Sequence, residues 1–348
     1  MPDDSLDSAL APLQRELPHA LLDDEGRQRV LAVARKLPCA LARRSVGYEL
    51  RLAGAARADL IVGARPHAPD GRALLEWARR SGLPQLALAL EQWRSGFGWL
   101  AWNARYLLLE FDAASDVRAP PCIHLAPQRA ANERPVAVSD NAFAADPEGL
   151  VRVLAALAGT APDRTAVGSL ERLLAALPPF AEMFVAGAML SRASVRSPRV
   201  AVRRLRPSGV AAVLRELGKS AAAERLVPLA EELTRAGARL MLDVDLGASA
   251  PALAGLEAHA GSYWTEGGRD GWAPVLEVLV SHGLAEPERA TAAAALPGRR
   301  WPGGPTFGIS HAKVGADASG LRPAKLYLGV IDSHTAVERA AELAVGVG

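Results

Sequence analysis

The stretch VGYELRL at residues 46–52, followed after a short Ala/Gly/Arg-rich connection by ADLIVGAR at 58–65, decides how this chain is read. It is a strand, a tight connection and a second strand. Successive side chains of a strand point to opposite sides. Leu50 and Leu52 therefore share one face of the first strand, and Glu49 and Arg51 share the other. The same paired unit returns as RYLLLEFD…PCIHLA (105–126) and FGISHAKVG…PAKLYLGV (307–330). Weaker copies are MFVAGAMLSR…RVAVRRLR (183–206) and RLMLDVDLG…AGLEAHA (239–260), which makes about five in all.

Between the hairpins lie pairs of helix-patterned segments. They include ALLEWARRSG and LPQLALALEQWRSGF (73–97), GLVRVLAALAG and SLERLLAALPP (149–179), and GVAAVLRELG and AAAERLVPLAEELTRAG (209–237). APVLEVLVSHGL and EPERATAAAAL follow at 273–296, and a last helix is expected at about 335–344. Paired, alternating strands argue for an antiparallel sheet. A TIM barrel would instead alternate single strands of unbroken apolar sequence with single helices. The fold class read from this order is α+β: about five ααββ units forming a ten-stranded antiparallel barrel ringed by helices. A barrel of that width is too wide for side chains to fill and holds a solvated cavity. Several short sheets in separate domains is the competing picture. With no long linker in the series, residues 1–348 read as one domain: N-terminal helices over 1–45, repeats over 46–332 and a C-terminal helix over 333–348.

The helices carry one apolar stripe each and must cover one face of the sheet. The leucine face suits them, which leaves the charged face for the lumen. Its expected members are Glu49, Arg51, Asp59, Arg65, Glu110, Asp112, His124, Asp243, Asp245, Glu257, His259, His311, Lys313, Lys325 and Tyr327. A solvent-facing sheet also alternates charge with leucine; the helix pair after every hairpin argues for the lumen. Acids and bases occur together there, so mutual pairing is expected.

Composition excludes several partners. The net charge of +2, from 40 basic and 38 acidic residues, gives no basic patch for nucleic acid. No apolar run reaches the roughly 18 residues of a membrane span. The acidic start MPDDSLDSAL does not read as a signal peptide. Cys39 and Cys122 are too few and too far apart for a disulfide framework or a zinc cluster, so a reduced, cytoplasmic protein is expected. The Ala and Arg excess suits a GC-rich bacterial genome. There is no phosphate-binding glycine loop and no GxSxG elbow.

The repeated α-β-β-α order resembles the aromatic prenyltransferases of the PT-barrel (ABBA) type. Tyr48-Glu49-Leu50, with a second strand ending in Arg65-Pro66, looks like the early hairpin of the indole prenyltransferases. Ala324-Lys325-Leu326-Tyr327-Leu328 looks like the Lys-x-Tyr strands that grip the prenyl diphosphate. The resemblance implies transfer of a prenyl group from an allylic diphosphate to an aromatic acceptor, an indole or phenol, free or within a peptide. It implies that Glu49 contacts the acceptor N–H and helps remove a proton. Secondary metabolism is the implied setting.

That chemistry needs fixed cations for the departing diphosphate. The candidates are Arg51, Arg65, Arg204, Lys313 and Lys325, with Tyr327 as a neutral donor; Arg203 and Arg206 stand nearby in the sequence. An allyl cation also needs aromatic faces, and seven tryptophans are available: Trp77, Trp93, Trp99, Trp102, Trp264, Trp272 and Trp301. Two other readings stay open. Glu110, Asp112, Asp243, Asp245, Glu257, His259 and His311 could ligate Mg²⁺ or a transition metal in a metal-assisted enzyme acting on an anionic or peptidic substrate. The same barrel could instead bind a small molecule or peptide without catalysis. A cationic cluster with an aromatic belt, converging acids and histidines, or complete charge pairing would separate the three.

Overall fold

The computed structural model describes residues 5–43, 45–113, 120–128, 141–190, 198–247, 254–260, 271–296, 299–300 and 306–331. The helix expected at 335–344, Trp264 and Trp301 lie outside them.

Strands β1 (Ser45–Arg51), β2 (Ala58–Ala64), β3 (Ala104–Phe111), β4 (Cys122–Pro127), β5 (Glu182–Ala188), β6 (Pro198–Leu205), β7 (Ala238–Asp245) and β8 (Ala254–Ala260) pair in sequence order. β9 (Arg299–Arg300) and β11 (Gly320–Leu321) are two-residue attachments to the long β10 (Thr306–Asp317). β10 pairs with β8 and with β12 (Lys325–Ile331), and β12 returns to β1. All these pairings are antiparallel, so the result is a closed ten-stranded barrel. Closure leaves no long unpaired edge.

Helix pairs sit between the hairpins as the sequence pattern predicts. α3 (Pro69–Arg80) and α4 (Pro84–Ser95) lie between β2 and β3, α7 (Pro147–Leu157) and α8 (Arg164–Ala176) between β4 and β5. α9 (Pro207–Glu216) and α10 (Ser220–Arg235) precede β7, and α11 (Trp272–Ser281) and α12 (Pro287–Ala294) precede β9. α1 (Leu6–Glu16) and α2 (Asp24–Ala34) come before β1, and the short α5 (Trp99–Asn103) and α6 (Ala142–Ala145) complete the set. Proline opens α3, α4, α7, α9 and α12, where its missing N–H costs no helical bond. Asp23, Asp146 and Asp163 cap α2, α7 and α8 by accepting from backbone N–H groups. Gly96 ends α4 in the left-handed conformation, at φ 78°.

The outer face of the barrel is apolar. Val46, Tyr48, Leu50, Leu60, Val62, Leu107, Leu109, Ile123, Leu125, Val200, Val202, Leu242, Leu256, Leu326 and Leu328 are buried in one core with helix residues such as Leu74, Leu154, Leu170, Leu226 and Leu279. The opposite parity faces the lumen. The β1–β12 seam is tight: a Cβ on Gly47 would lie 2.0 Å from the Leu328 carbonyl oxygen. A Cβ on Gly63 would lie 1.9 Å from the Tyr106 hydroxyl, which fills that part of the lumen face.

Candidate active site

The strand register arranges the lumen charges. Arg51 is opposite Lys325, Lys325 is opposite Lys313, and Lys313 is opposite Glu257. Three cations thus stand side by side on β1, β12 and β10. They lie towards the upper end of the barrel, where β1 finishes and β12 starts. One step below, Glu49 is opposite both Tyr327 and Asp59.

These groups are bonded to one another. Lys325 Nζ donates to one oxygen of Glu49 and Tyr327 Oη donates to the other. Arg51 lies 3.8 Å from Glu49 and 3.6 Å from Asp59. Lys313 pairs with Asp243 and lies 3.3 Å from Glu257. Glu49 is fully buried. Burial pushes its carboxyl up, but the Lys325 ammonium beside it holds it below the ordinary range, as a carboxylate. Burial, with Glu49 and Glu110 nearby, pushes the Tyr327 phenol well up, so it remains a neutral donor. Burial, with the Arg199 guanidinium close by, pushes the Lys313 ammonium well down.

One strong pair joins Asp245, a candidate metal ligand, to an arginine with no expected role. Arg199, on the same face of β6 as Arg203, donates to both oxygens of Asp245 at 2.7 and 3.0 Å. Its place was readable from RVAVR, where Arg199 and Arg203 share parity. The eye goes instead to the denser arginines at 203–206.

Two expected diphosphate ligands are not with the others. Arg65 follows β2 at the lower end, beyond Gly63, which pairs with Ser45 at the start of β1. Arg204 also lies low, where β5 begins. It is the extra residue of a bulge between Arg203 and Leu205, with a left-handed φ of 63°. Arg203 keeps the lumen position and donates to Glu182, with Arg204 3.9 Å from the same carboxylate. Arg206 leaves the barrel as the exposed residue before α9. The physical reason is common to Arg65 and Arg204: in a hairpin, consecutive strands finish at opposite ends of the sheet.

The aromatic belt is not built from tryptophan among the described residues. Trp77 packs edge-on against Phe111 of the outer core, and Trp93 donates to the Ala104 carbonyl oxygen at 2.7 Å. Trp99 stacks on Phe143, Trp272 is buried in the outer core and Trp102 is exposed. The lumen instead holds Tyr106 and a stack of His259, His311 and Tyr327, with ring centroids 5.0 and 4.0 Å apart.

Mg²⁺ requires open oxygen ligands. Glu49, Asp59 and Glu110 bring carboxylate oxygens within 4.8 Å of one another. Yet Glu49 is engaged at both oxygens, Asp59 accepts from the Ala113 N–H at 3.2 Å, and Glu110 lies 3.5 Å from His124. These acids lie in a network of polar and charged neighbours. Asp112 follows β3 at the same upper end.

Burial first, and then Glu49, Glu110 and Asp112, push the Asp59 carboxyl up to about 8. Unfolded, it would titrate near pH 4, at roughly 3.9. The folded chain therefore binds the extra proton between those values. Stability present at the low end is lost as pH rises through 8, by at most about 1.4 kcal/mol per unit. The expected result is a melting temperature that falls between pH 6 and 8. In Asp59→Asn, whose side-chain oxygen still accepts from Ala113, the fall should be shallower; equal slopes in a pH series of thermal melts would refute the assignment.

No helix among the described residues is long and apolar enough to cross a membrane. No family model matches the chain, and no curated protein does. Solved structures do. The fold is similar to that of 6-dimethylallyltryptophan synthase from Micromonospora olivasterospora, solved in complex with DMASPP and Trp: TM-score 0.54, 16% identity, covering 96% of this chain and 97% of that one. PriB, solved as a binary complex with product diphosphate, aligns with TM-score 0.52 and 16% identity over 95% of this chain and 96% of its own. 5-Dimethylallyltryptophan synthase from Streptomyces coelicolor aligns with TM-score 0.50 and 17% identity over 96% and 99%. At such identities the likeness is one of fold, and the fold is the PT barrel that the repeat order resembles.

Proposed function

We propose that the barrel transfers a prenyl group from an allylic diphosphate to a small aromatic acceptor such as an indole or phenol. The observation that carries this reading is the lumen row Arg51–Lys325–Lys313, with Tyr327 and the buried carboxylate of Glu49 directly beneath it. Ionisation of the allylic C–O bond leaves its electron pair on diphosphate, and a row of fixed donors stabilises that charge. Without ligand these cations are held by Glu49, Asp59, Asp243 and Glu257. A diphosphate binds by exchanging with those acidic side chains, so little side-chain ordering remains to be done. The allyl cation then meets the acceptor ring, shielded by barrel walls and the faces of Tyr106 and Tyr327. The ring carbon that gained the new C–C bond loses its proton to Glu49, released from Lys325 by the diphosphate.

Thermal melts with dimethylallyl and geranyl thiodiphosphates, with and without Mg²⁺, test the reading. A ligand held at a hundred times its Kd stabilises the folded state by about 2.7 kcal/mol. The expected shift of several degrees should vanish in Lys325→Met. No shift under any of these conditions would remove the donor site and the reading with it.

A further inference from the structure

Beside Glu257, which meets the donor row through Lys313, the lumen wall holds two histidines that this chemistry does not use. Glu257 and His259 lie on one face of β8, and His311 faces them from β10. Oε2 of Glu257 lies 3.5 Å from Nε2 of His259 and 3.7 Å from Nε2 of His311. All three ligand atoms fall within 4.8 Å of one another. The two N···O separations exceed the ordinary N–H···O hydrogen-bond range of about 2.7–3.2 Å. They are close to the edge of a tetrahedron around a metal with bonds near 2.1 Å, which is about 3.4 Å.

The surroundings hold these side chains in place. Ser310 Oγ bonds Nδ1 of His311 at 2.8 Å, which directs the other ring nitrogen at Glu257. Tyr327 and His259 stack on the two sides of that ring. Lys313 approaches Oε1 of Glu257 and leaves Oε2 to the imidazoles, while Asp243 neutralises the lysine. Such outer partners are what metal-binding histidines and carboxylates normally carry. The histidine side chains are 21% and 16% exposed, while Nε2 of His259 itself is buried against the lumen wall.

We propose that Glu257, His259 and His311 form a binding site for one divalent first-row transition cation, zinc being the best match. Two imidazoles and a carboxylate suit Zn²⁺, Co²⁺ or Fe²⁺, whereas Mg²⁺ and Ca²⁺ favour oxygen ligands alone. Three protein ligands leave a coordination position open to the lumen, the arrangement of a site that takes up water or a second ligand. The proposal does not depend on prenyl transfer, and its test reads no turnover.

The test is Co²⁺ titration of the full, chelator-stripped chain, followed by visible absorption. One equivalent should bind with the intense ligand-field bands of a four-coordinate ion. Zn²⁺ should displace it, and excess Mg²⁺ should not. His259→Gln and His311→Gln should each weaken binding at least a hundredfold. Ser310→Ala, a positioning change, should weaken it about tenfold. Absence of Co²⁺ uptake by the folded wild type, or uptake that persists unchanged in both histidine variants, would overturn the site. The wild-type titration alone keeps the idea open to refutation if a variant misfolds.

Discussion

Glu49→Gln is expected to slow prenyl transfer by a factor of about 10²–10⁴ while tightening the binding of an unreactive donor analogue. The two effects have one cause. In the resting barrel Glu49 holds Lys325 with one oxygen and accepts from Tyr327 with the other. A diphosphate competes with that carboxylate for the same ammonium. Glutamine keeps the shape and still accepts one hydrogen bond, but it releases the charge, so Lys325 and Arg51 become better diphosphate ligands. In the proposed reaction the same change removes the base that takes the ring proton. The measurement is a pair: single-turnover rate with saturating acceptor, and thiodiphosphate affinity from thermal melts. A slower rate with weaker analogue binding would indicate a collapsed lumen. An unchanged rate would show that another group takes the proton.

Arg199→Met should cost about 3–5 kcal/mol of stability, because it strands a buried charge. The side chain of Asp245 is fully buried and that of Arg199 is 12% exposed. Burial alone would pull the Arg199 guanidinium down, but Asp245 holds it above its ordinary range. Removing the arginine leaves a carboxylate with no bidentate partner in a place water cannot easily reach. The double variant Arg199→Met/Asp245→Leu should recover most of the loss, since an apolar pair of similar volume often replaces a buried ion pair at little cost. Urea unfolding of the two variants and the wild type decides it. A single variant within about 1 kcal/mol of wild type would mean the pair is solvated in solution.

The barrel was legible because its alternation is strict where it matters. Leu50 and Leu326 lie outside and Glu49, Arg51, Lys325 and Tyr327 inside, as period two requires. The helix pairs were legible through their apolar stripes, while the proline starts and aspartate caps that set their first residues were not used. Depth along the barrel axis was harder. Arg65 and Arg204 satisfy the requirement for charge but sit at the lower end, a consequence of hairpin direction that no residue type announces. Bulges were not legible at all. One extra residue between Ile309 and His311 lets Ile309 pair with Leu328 and His311 with Tyr327, so counting by twos across it fails. Partner choice was the last gap. Arg199 finds Asp245 from 46 residues away, across strands whose adjacency exists only once the sheet is assembled.

The seam between β1 and β12 joins residues 276 positions apart, as in Lys325 and Glu49. During synthesis β1 emerges first and must wait for β12. At ordinary translation rates that is on the order of tens of seconds. Throughout that interval the growing sheet has two unpaired edges, a template for pairing with other nascent chains. Contacts this distant also slow the final step, because the entropy of closing the loop is lost before any bond forms. The lysine–glutamate–tyrosine cluster lies on the seam itself. A nascent chain that has not yet zipped shut therefore has no assembled site.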